Sequence, residues 1–376
     1  MTTIAERFDF VVGVDTHAKT HTYSLVECRT GRSIATEVFP TSAAGMSRAI
    51  GWIRRRTAGC RVFAAVEGTS SYGARLTQRL YGDGFEVGEV KPPTKAAASR
   101  NGKSDAIDAS AAARSVLGTD LELVILPRAA GDRAALRILL VARSMLDTQR
   151  TANKNALLPL LRILDLGLDA RKSLTAEQLD TIAAWRPSKT REPSAEIARM
   201  EARRLAIAVI EGTRQLEANK ELLRDFAERL APTLQEISGI GPVTAAIILC
   251  AYSHPGRVRS EAAFAVLAGV APQPASSGNT IRHRLSRSGD RQLNRAFDVI
   301  ARVRMSNDAN TRAFVERRRG EGKTNREIRR VLKRYICREV FRQLVAIMGH
   351  QTPRQIEQPT AAYSLTASAD PSGSRI

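Results

Sequence analysis

The alternation of apolar and polar positions predicts a β-rich start to the chain. Residues 8 to 15, FDFVVGVD, form an apolar run of strand length that ends on an acid, and two more β-rich runs follow at 20 to 28, THTYSLVEC, and at 33 to 39. Three strands in such close succession predict a meander. Residues 42 to 56 switch to a helical period, with Ser42 as N-cap and Met46, Ile50 and Ile53 on one face. A strand at 61 to 67, a helix at 71 to 82 and a strand at 85 to 91 complete the order βββαβαβ. That order predicts a mixed α/β sheet whose buried strands are joined by crossover helices.

The pattern turns helical from 104 onward. DAIDASAAARSVL is rich in Ala and has neither Gly nor Pro before Gly118. Residues 132 to 165 and 194 to 230 carry long helical patterns with interspersed charges, which predict an antiparallel hairpin or coiled-coil arm, with Pro187 and Pro193 bracketing a charged loop. The expected layout is an α/β domain at 1–128, a helical coiled-coil arm at 129–231 and a mainly α C-terminal domain at 232–350. Residues 351–376 are rich in Ser, Thr, Ala, Pro and Gln without an apolar period and read as a disordered tail.

Charge narrows the partner. The 376 residues hold 58 Lys plus Arg against 38 Asp plus Glu, a net charge of +20, which points to a polyanion and first of all to nucleic acid. Residues 279 to 344 alone contain 19 basic and 7 acidic residues, so +12 of that surplus is concentrated there. Aromatic residues make up only 5%, so phosphate contact should outweigh base stacking. Cys28, Cys60, Cys250 and Cys337 are far apart with no C-x-x-C pairing, which argues against a zinc site or disulfide scaffold and fits a reducing cytoplasm. Glu6, Arg7 and Asp9 stand where a signal peptide needs an apolar core, and runs such as 245 to 251 are too short for a bilayer, so neither secretion nor membrane insertion is expected. No G-x-x-x-x-G-K loop is present, so ATP hydrolysis is not expected.

Against this basic background four acids stand out. Asp15 and Glu67 each end an apolar strand, so both should project from one edge of the sheet. Asp105 and Asp108 lie three apart on a predicted helix and hence on one face. Four converging carboxylates would be hard oxygen ligands suited to Mg²⁺, with Mn²⁺ as the alternative, and two such ions about 4 Å apart stabilise the attacking and leaving oxygens of a phosphodiester displacement. Taken singly, each acid has an ordinary reading: a turn or cap at Asp15-Thr16, a strand-end charge at Glu67, a helix start favoured by the dipole at Asp105 and Asp108. His17 and His21 lie four apart across a strand-to-strand turn with no third ligand type nearby, and no metal site is expected from that pair.

Taken in order and spacing, the segments VGVDTHAKT, VEGTSSYG and KSDAIDA resemble the RuvC-like DEDD transposases of a large bacterial insertion-sequence family, the bridge-RNA-guided recombinases. The resemblance runs from Phe10 to about Leu344, and KSDAIDA is its most specific N-terminal part. It implies an RNase H-like (RuvC-like) fold for the first domain and makes Asp15, Glu67, Asp105 and Asp108 the four metal-binding acids.

The C-terminal region carries two further motifs. In LQEISGIGPVTAAIILC, residues 234 to 250, Gly239 to Pro242 separate two apolar helical stretches and read as a helix-hairpin-helix. The glycines Gly239 and Gly241 would let backbone amides approach a phosphate, although an interhelical turn without ligand has the same pattern. Residues 264 to 291 contain Pro272, Pro274 and a Ser-Ser-Gly turn beside Arg282, His283, Arg284, Arg287 and Arg291, so a serine hydroxyl would lie in a positive field. On residues alone an ordinary Ser/Gly turn is the simpler reading, and His283 stays open between a phosphate contact and a solvated position. The family has a GIGPxTA-like element followed by AGxxPxxxxSG with a nucleophilic serine. Here these are GIGPVTA and AGVAPQPASSG, so the resemblance places the nucleophile at Ser277, with Ser276 as the adjacent fallback. It implies a composite site in which Ser277 forms a phosphoserine link to DNA beside the metal-holding acids, the two domains meeting between protomers. RSGDRQLNRAF, with Asn294 before Arg295, departs from the Leu-Arg that the family often has there.

The expected function is that of an insertion-sequence transposase or recombinase acting on donor and target DNA. By resemblance it is guided by a noncoding bridge RNA, assembles as a homodimer or homotetramer through its arm, and works in the bacterial cytoplasm at the nucleoid. The basic face for nucleic acid is expected to include Arg326, Arg330, Lys333 and Arg334 in addition to the loop arginines. Two rivals use fewer parts: a junction-resolving RuvC-like nuclease needs the acids without Ser277, and a non-catalytic nucleic-acid-binding protein needs neither.

Overall fold

The computed structural model describes residues 2–91, 104–163, 173–186, 192–274, 283–284 and 289–349. The chain divides into two compact units. The first runs to Ala130 and includes Gly256–Arg259, and the second comprises Gly131–Pro255 and the chain from Ser260 onward.

In the first unit the strands are β1 (Phe10–Thr16), β2 (Thr20–Glu27), β3 (Ser33–Pro40), β4 (Val62–Glu67) and β5 (Glu86–Val90), in the sheet order β3-β2-β1-β4-β5. β1, β2 and β3 pair antiparallel, as a meander should, whereas β4 pairs parallel to β1 and β5 parallel to β4. Helices α2 (Ala43–Thr57) and α3 (Ala74–Gly82) make the two crossovers. The expected mixed sheet is therefore present with its element order intact. A single-turn helix α1 (Ile4–Arg7), too short to show a period, precedes it.

Both faces of the sheet are covered, which explains why β1 reads as a continuous apolar run rather than an alternation. Val12, Val14, Tyr23, Leu25 and Val66 pack on one face under Met46, Ile50 and Ile53 of α2 and Leu76 and Leu80 of α3. Val11, Val26, Phe63 and Ala65 pack on the other under Ile4, Phe8, Ala112 and Ala113. The last two belong to α4 (Asp105–Arg114), which starts where the sequence placed it but stops before Ser115 and passes into a turn. The helix expected from residue 71 begins only at Ala74, because Gly68 takes φ +63° and a hydrogen-bonded turn through Ser71 and Gly73 fills the interval.

Among the described residues the second unit is helical apart from two short strands. Helices α5 (Asp132–Ile163) and α7 (Pro193–Leu230) match the two long patterns, with α6 (Ala176–Ala183) between them. They run antiparallel: Arg143 donates to the Leu216 carbonyl at 2.8 Å, Asn219 donates to the Leu139 carbonyl at 3.0 Å, and Arg229 pairs with Asp132 at 3.1 Å. Leu157, Leu161, Leu179, Ile182, Leu205 and Val209 form the shared core. After a 3-10 turn at Leu234–Glu236 come α8 (Pro242–Tyr252), α9 (Glu261–Leu267), α10 (Arg291–Asn307), α11 (Ala309–Gly320) and α12 (Asn325–Met348). Strands β6 (Gln273–Pro274) and β7 (His283–Arg284) pair antiparallel. The few aromatics are drawn inward here: Phe264 stands 6.2 Å from Tyr252, 6.0 Å from Phe297 and 5.8 Å from Phe341, ring centre to ring centre. These four rings thus serve packing, whereas Tyr72 and Tyr335 are exposed. No helix among the described residues is long and apolar enough to cross a membrane.

One clamp in this unit is tight enough to test. A side chain at Gly289 would place its Cβ 2.4 Å from the Gly269 amide nitrogen and 2.9 Å from the Leu267 carbonyl oxygen, so the two backbones meet only because position 289 is glycine, while Gly269 takes φ +63°. The Asp290 amide donates to the Leu267 carbonyl at 2.7 Å, and the Asn294 side-chain amide donates to the Ala268 and Gly269 carbonyls at 2.7 and 3.2 Å. Lys333, buried, donates from Nζ to Asn294 Oδ1 at 2.9 Å. Asn294→Ala strips the ammonium and two carbonyls of a partner, and the expected cost is about 1–3 kcal/mol. Urea denaturation of the full chain checks it.

Candidate functional site

The site grows out of the central strand pair. β1 and β4 are parallel neighbours in the register Val14 to Val66, so Asp15 and Glu67, one residue further on, leave the sheet at the same end. Thr16 ties the two strand ends, its hydroxyl donating to the Glu67 carbonyl at 2.9 Å.

The other acids arrive because a helix can lie directly on β1. A Cβ built on Gly13 would stand 2.0 Å from the Ala109 carbonyl oxygen and 2.5 Å from the Ala113 nitrogen. Only glycine admits that approach. With α4 seated there, its first turn carries Asp105 and Asp108 to the end of the sheet where Asp15 lies. Ser104 caps the helix, its hydroxyl accepting from the Ile107 amide at 3.3 Å.

Asp15 is 7% exposed, whereas the Asp105 side chain is 60% exposed. Between them stands His17, with Nε2 3.0 Å from Asp15 Oδ2 and 3.6 Å from Asp105 Oδ1. One ligand atom each from Asp15, His17 and Asp105 lies within 4.8 Å of the others. Burial raises the Asp15 carboxyl above the usual range; His17 opposes this through charge and hydrogen bonding, and the negative charges of Asp105 and Asp108 add to it. Burial likewise raises Glu67, with Asp15 and Asp108 contributing repulsion. The four acids therefore sense one another electrostatically, although Glu67 and Asp108 lie outside the three-residue group. Asp15 and Glu67, raised by burial and by neighbouring acids, together with the close ligand atoms of Asp15, His17 and Asp105, fit a divalent cation that would offset the repulsion.

His17, Thr16 and Gly13 were not legible as site residues. In sequence His17 stands beside His21, but His21 is buried within the sheet, and the partner of His17 is two residues back at Asp15. The spacing of the two histidines hid the spacing of histidine to acid.

The basic candidates are more scattered. Ser276, Ser277, Arg282 and Arg287 lie outside the described residues, as does the tail at 351–376, and Arg284 enters β7 through its backbone. Gly239 takes φ +84° against Ile300 of α10, and the stretch before it is a 3-10 turn at Leu234–Glu236 rather than the apolar helix expected there. Gly241 caps α8, but its amide is already donated to the Thr244 hydroxyl at 2.9 Å. Arg291, Arg326 and Arg330 are exposed. Arg334 pairs with Glu261, and Lys333 is turned inward onto Asn294.

Comparison with known proteins agrees with this geometry. Residues 12–164 match a DEDD transposase family of the IS110 type, and residues 231–316 match the transposase family IS116/IS110/IS902. The chain is 37% identical over 119 residues to the insertion element IS110 uncharacterized 43.6 kDa protein of Streptomyces coelicolor strain A3(2), an alignment that covers 31% of this chain and 29% of that protein. A mixed sheet carrying an acidic end, with a mostly helical remainder of the chain, is consistent with a DEDD transposase. The two matched segments and the Streptomyces relative together support an insertion-sequence DEDD transposase family for this chain.

Proposed function

We propose that this chain is the transposase of an insertion element and cuts and rejoins DNA strands. The observation that carries the reading is the convergence of Asp15 from β1 with Asp105 from α4 beside His17, and the mutual electrostatic influence of Asp15, Glu67, Asp105 and Asp108. A divalent cation bound by these residues, Mg²⁺ or Mn²⁺, would supply charge stabilisation for phosphoryl transfer. Asp15, fixed by its strand and by His17, is the rigid half of the acidic set, and Asp105 and Asp108, on an exposed helix start, are the half that meets solvent and substrate.

Ser277 is the nucleophile in this reading. Its hydroxyl attacks a DNA phosphorus, a phosphoserine ester forms, one bridging P–O bond of the strand breaks, and the departing oxygen takes up a proton. Sequence choice belongs to a bridge RNA that pairs with donor and target DNA, which suits a chain rich in phosphate-binding charge and poor in exposed aromatics. The exposed residues Arg291, Arg326 and Arg330 belong to the polyanion surface, together with the glycine turn at Gly239 and Gly241. The long α5 and α7 hairpin is the natural element for a dimer or tetramer; in this reading the α/β domain would hold the cation and the C-terminal domain supplies the serine that breaks the strand and holds its end. The working compartment is the cytoplasm, at the nucleoid.

Junction formation tests the reading. The protein is expressed with its own element and noncoding flanks, and excised circles and insertion junctions are amplified. Wild type should yield both, whereas Asp105→Ala and Ser277→Ala should each lower the yield by about a thousandfold or more, as losses of essential groups do. If Ser277→Ala recombines normally, the nucleophile is not Ser277 and the chemistry is water-driven. If wild type yields no junctions, the reading fails and a binding protein replaces it.

A further inference from the structure

The acids alone do not account for His17. It is placed by local geometry: the chain reverses after β1, and the His17 amide donates to the Thr20 carbonyl at 3.1 Å, which fixes the turn. The imidazole then faces the acidic space, with Nε2 within 3.6 Å of carboxylate oxygens from two separate elements. A histidine serving only to hold Asp15 would need one such contact. Asp15, His17 and Asp105 present their ligand atoms as a compact triad, whereas Glu67 and Asp108 stand outside it.

We infer that His17 is a direct ligand of the divalent cation, so that the position formed with Asp15 and Asp105 is a mixed nitrogen and oxygen site, chemically distinct from an all-carboxylate one. The inference rests on the metal-dependent reading given above and extends it to metal preference. Magnesium favours oxygen ligands and gives up water reluctantly, whereas first-row transition cations accept imidazole readily. The Asp15, His17 and Asp105 position should therefore favour Mn²⁺ over Mg²⁺.

The full-length protein is titrated with Mn²⁺ under pulsed electron paramagnetic resonance, then with Mg²⁺ in competition, for wild type, His17→Gln and Asp15→Asn. Gln retains a side-chain donor for Asp15 but removes the imidazole nitrogen, and His17 is half exposed, so the variant keeps its fold, as a thermal melt checks. Expected are ¹⁴N modulation from bound Mn²⁺ in wild type, its loss in His17→Gln, and an Mn²⁺ affinity lowered by about tenfold or more with Mg²⁺ affinity changed by less than about threefold. Mn²⁺ bound by wild type with no nitrogen coupling, and lost in Asp15→Asn, would overturn the role of His17 while leaving the metal-dependent site standing. Mn²⁺ binding that is absent from wild type, or unaffected by Asp15→Asn, would overturn both.

Discussion

Asp15→Asn should abolish strand cleavage and joining and at the same time raise the melting temperature of the metal-free protein. The two effects have one cause. Asp15 is 7% exposed, and its carboxyl is pushed up by burial and further by Asp105 and Asp108. Ionising it in the folded state is therefore costly, and Asn fills nearly the same volume without a charge. The pH dependence has a definite sign. Because the folded carboxyl holds its proton more tightly than the unfolded one, this group destabilises the fold as pH rises from the unfolded toward the folded pKa, and the penalty persists above it. Glu67, raised for the same reasons, acts in the same direction. The stability gap between Asp15→Asn and wild type should accordingly open as pH rises from the acid range to neutrality and close again on acidification. Adding Mg²⁺ or Mn²⁺ should stabilise wild type, through binding to the native state alone, and leave the variant unmoved. Thermal melts across pH, with and without the cation, check each part. A variant less stable than wild type at neutral pH without metal would mean that the His17 hydrogen bond, not repulsion, dominates at Asp15.

The parts of the fold read correctly from sequence share a physical basis. β1 announces itself because both faces of the central strand are buried, which makes FVVGV a continuous run, and α5 and α7 announce themselves because each is long enough to repeat its period many times. Ser42, the cap of α2, was legible because capping is chemistry local to a few residues. What the pattern missed depends on contacts distant in sequence. Lys333 sits in a basic stretch that reads as a face for nucleic acid, but α12 turns it inward to Asn294, thirty-nine residues away. Its ammonium is held below the usual lysine range by burial, with Arg329 and Arg330 adding to this and Asp298 opposing. Charge along α7 is similarly deceptive. Glu201, Glu211, Glu217 and Glu221 each pair with a base three residues later, so this long helix balances its own charge. Such exposed pairs contribute little stability. Their consequence is that the net positive charge must act from other surfaces.

Gly13→Ala should cost the protein both its acidic site and a measurable part of its stability, although alanine is the smallest change available. In sequence Gly13 is one residue of an apolar strand, and a glycine there would ordinarily weaken β-structure. In the structure it is the contact on which α4 lies. The added Cβ would fall 2.0 Å from the Ala109 carbonyl oxygen and 2.5 Å from the Ala113 nitrogen, both backbone atoms that cannot rotate away. The helix must therefore retreat. Ala109, Ala112 and Ala113, all buried, would lose part of their packing against the sheet, and overpacking of this kind typically costs about 1–3 kcal/mol. For a unit of this size, that lowers the melting temperature by roughly 2–4 °C per kcal/mol. The same retreat carries Asp105 and Asp108 away from Asp15, so cation affinity and junction yield should fall much further than the loss of stability explains. Asp105→Ala provides the contrast, since an exposed first-turn acid contributes only about 0.3–1 kcal/mol through the helix dipole, and its removal should abolish function with little change in melting. Ala113→Gly placed on Gly13→Ala separates the causes. It removes the Ala113 Cβ, 2.9 Å from the new methyl, but not the closer Ala109 oxygen, so it should restore little. Full recovery of stability and Mn²⁺ binding in that double variant would mean that side-chain crowding, rather than the backbone approach of α4 to β1, sets the position of the acids.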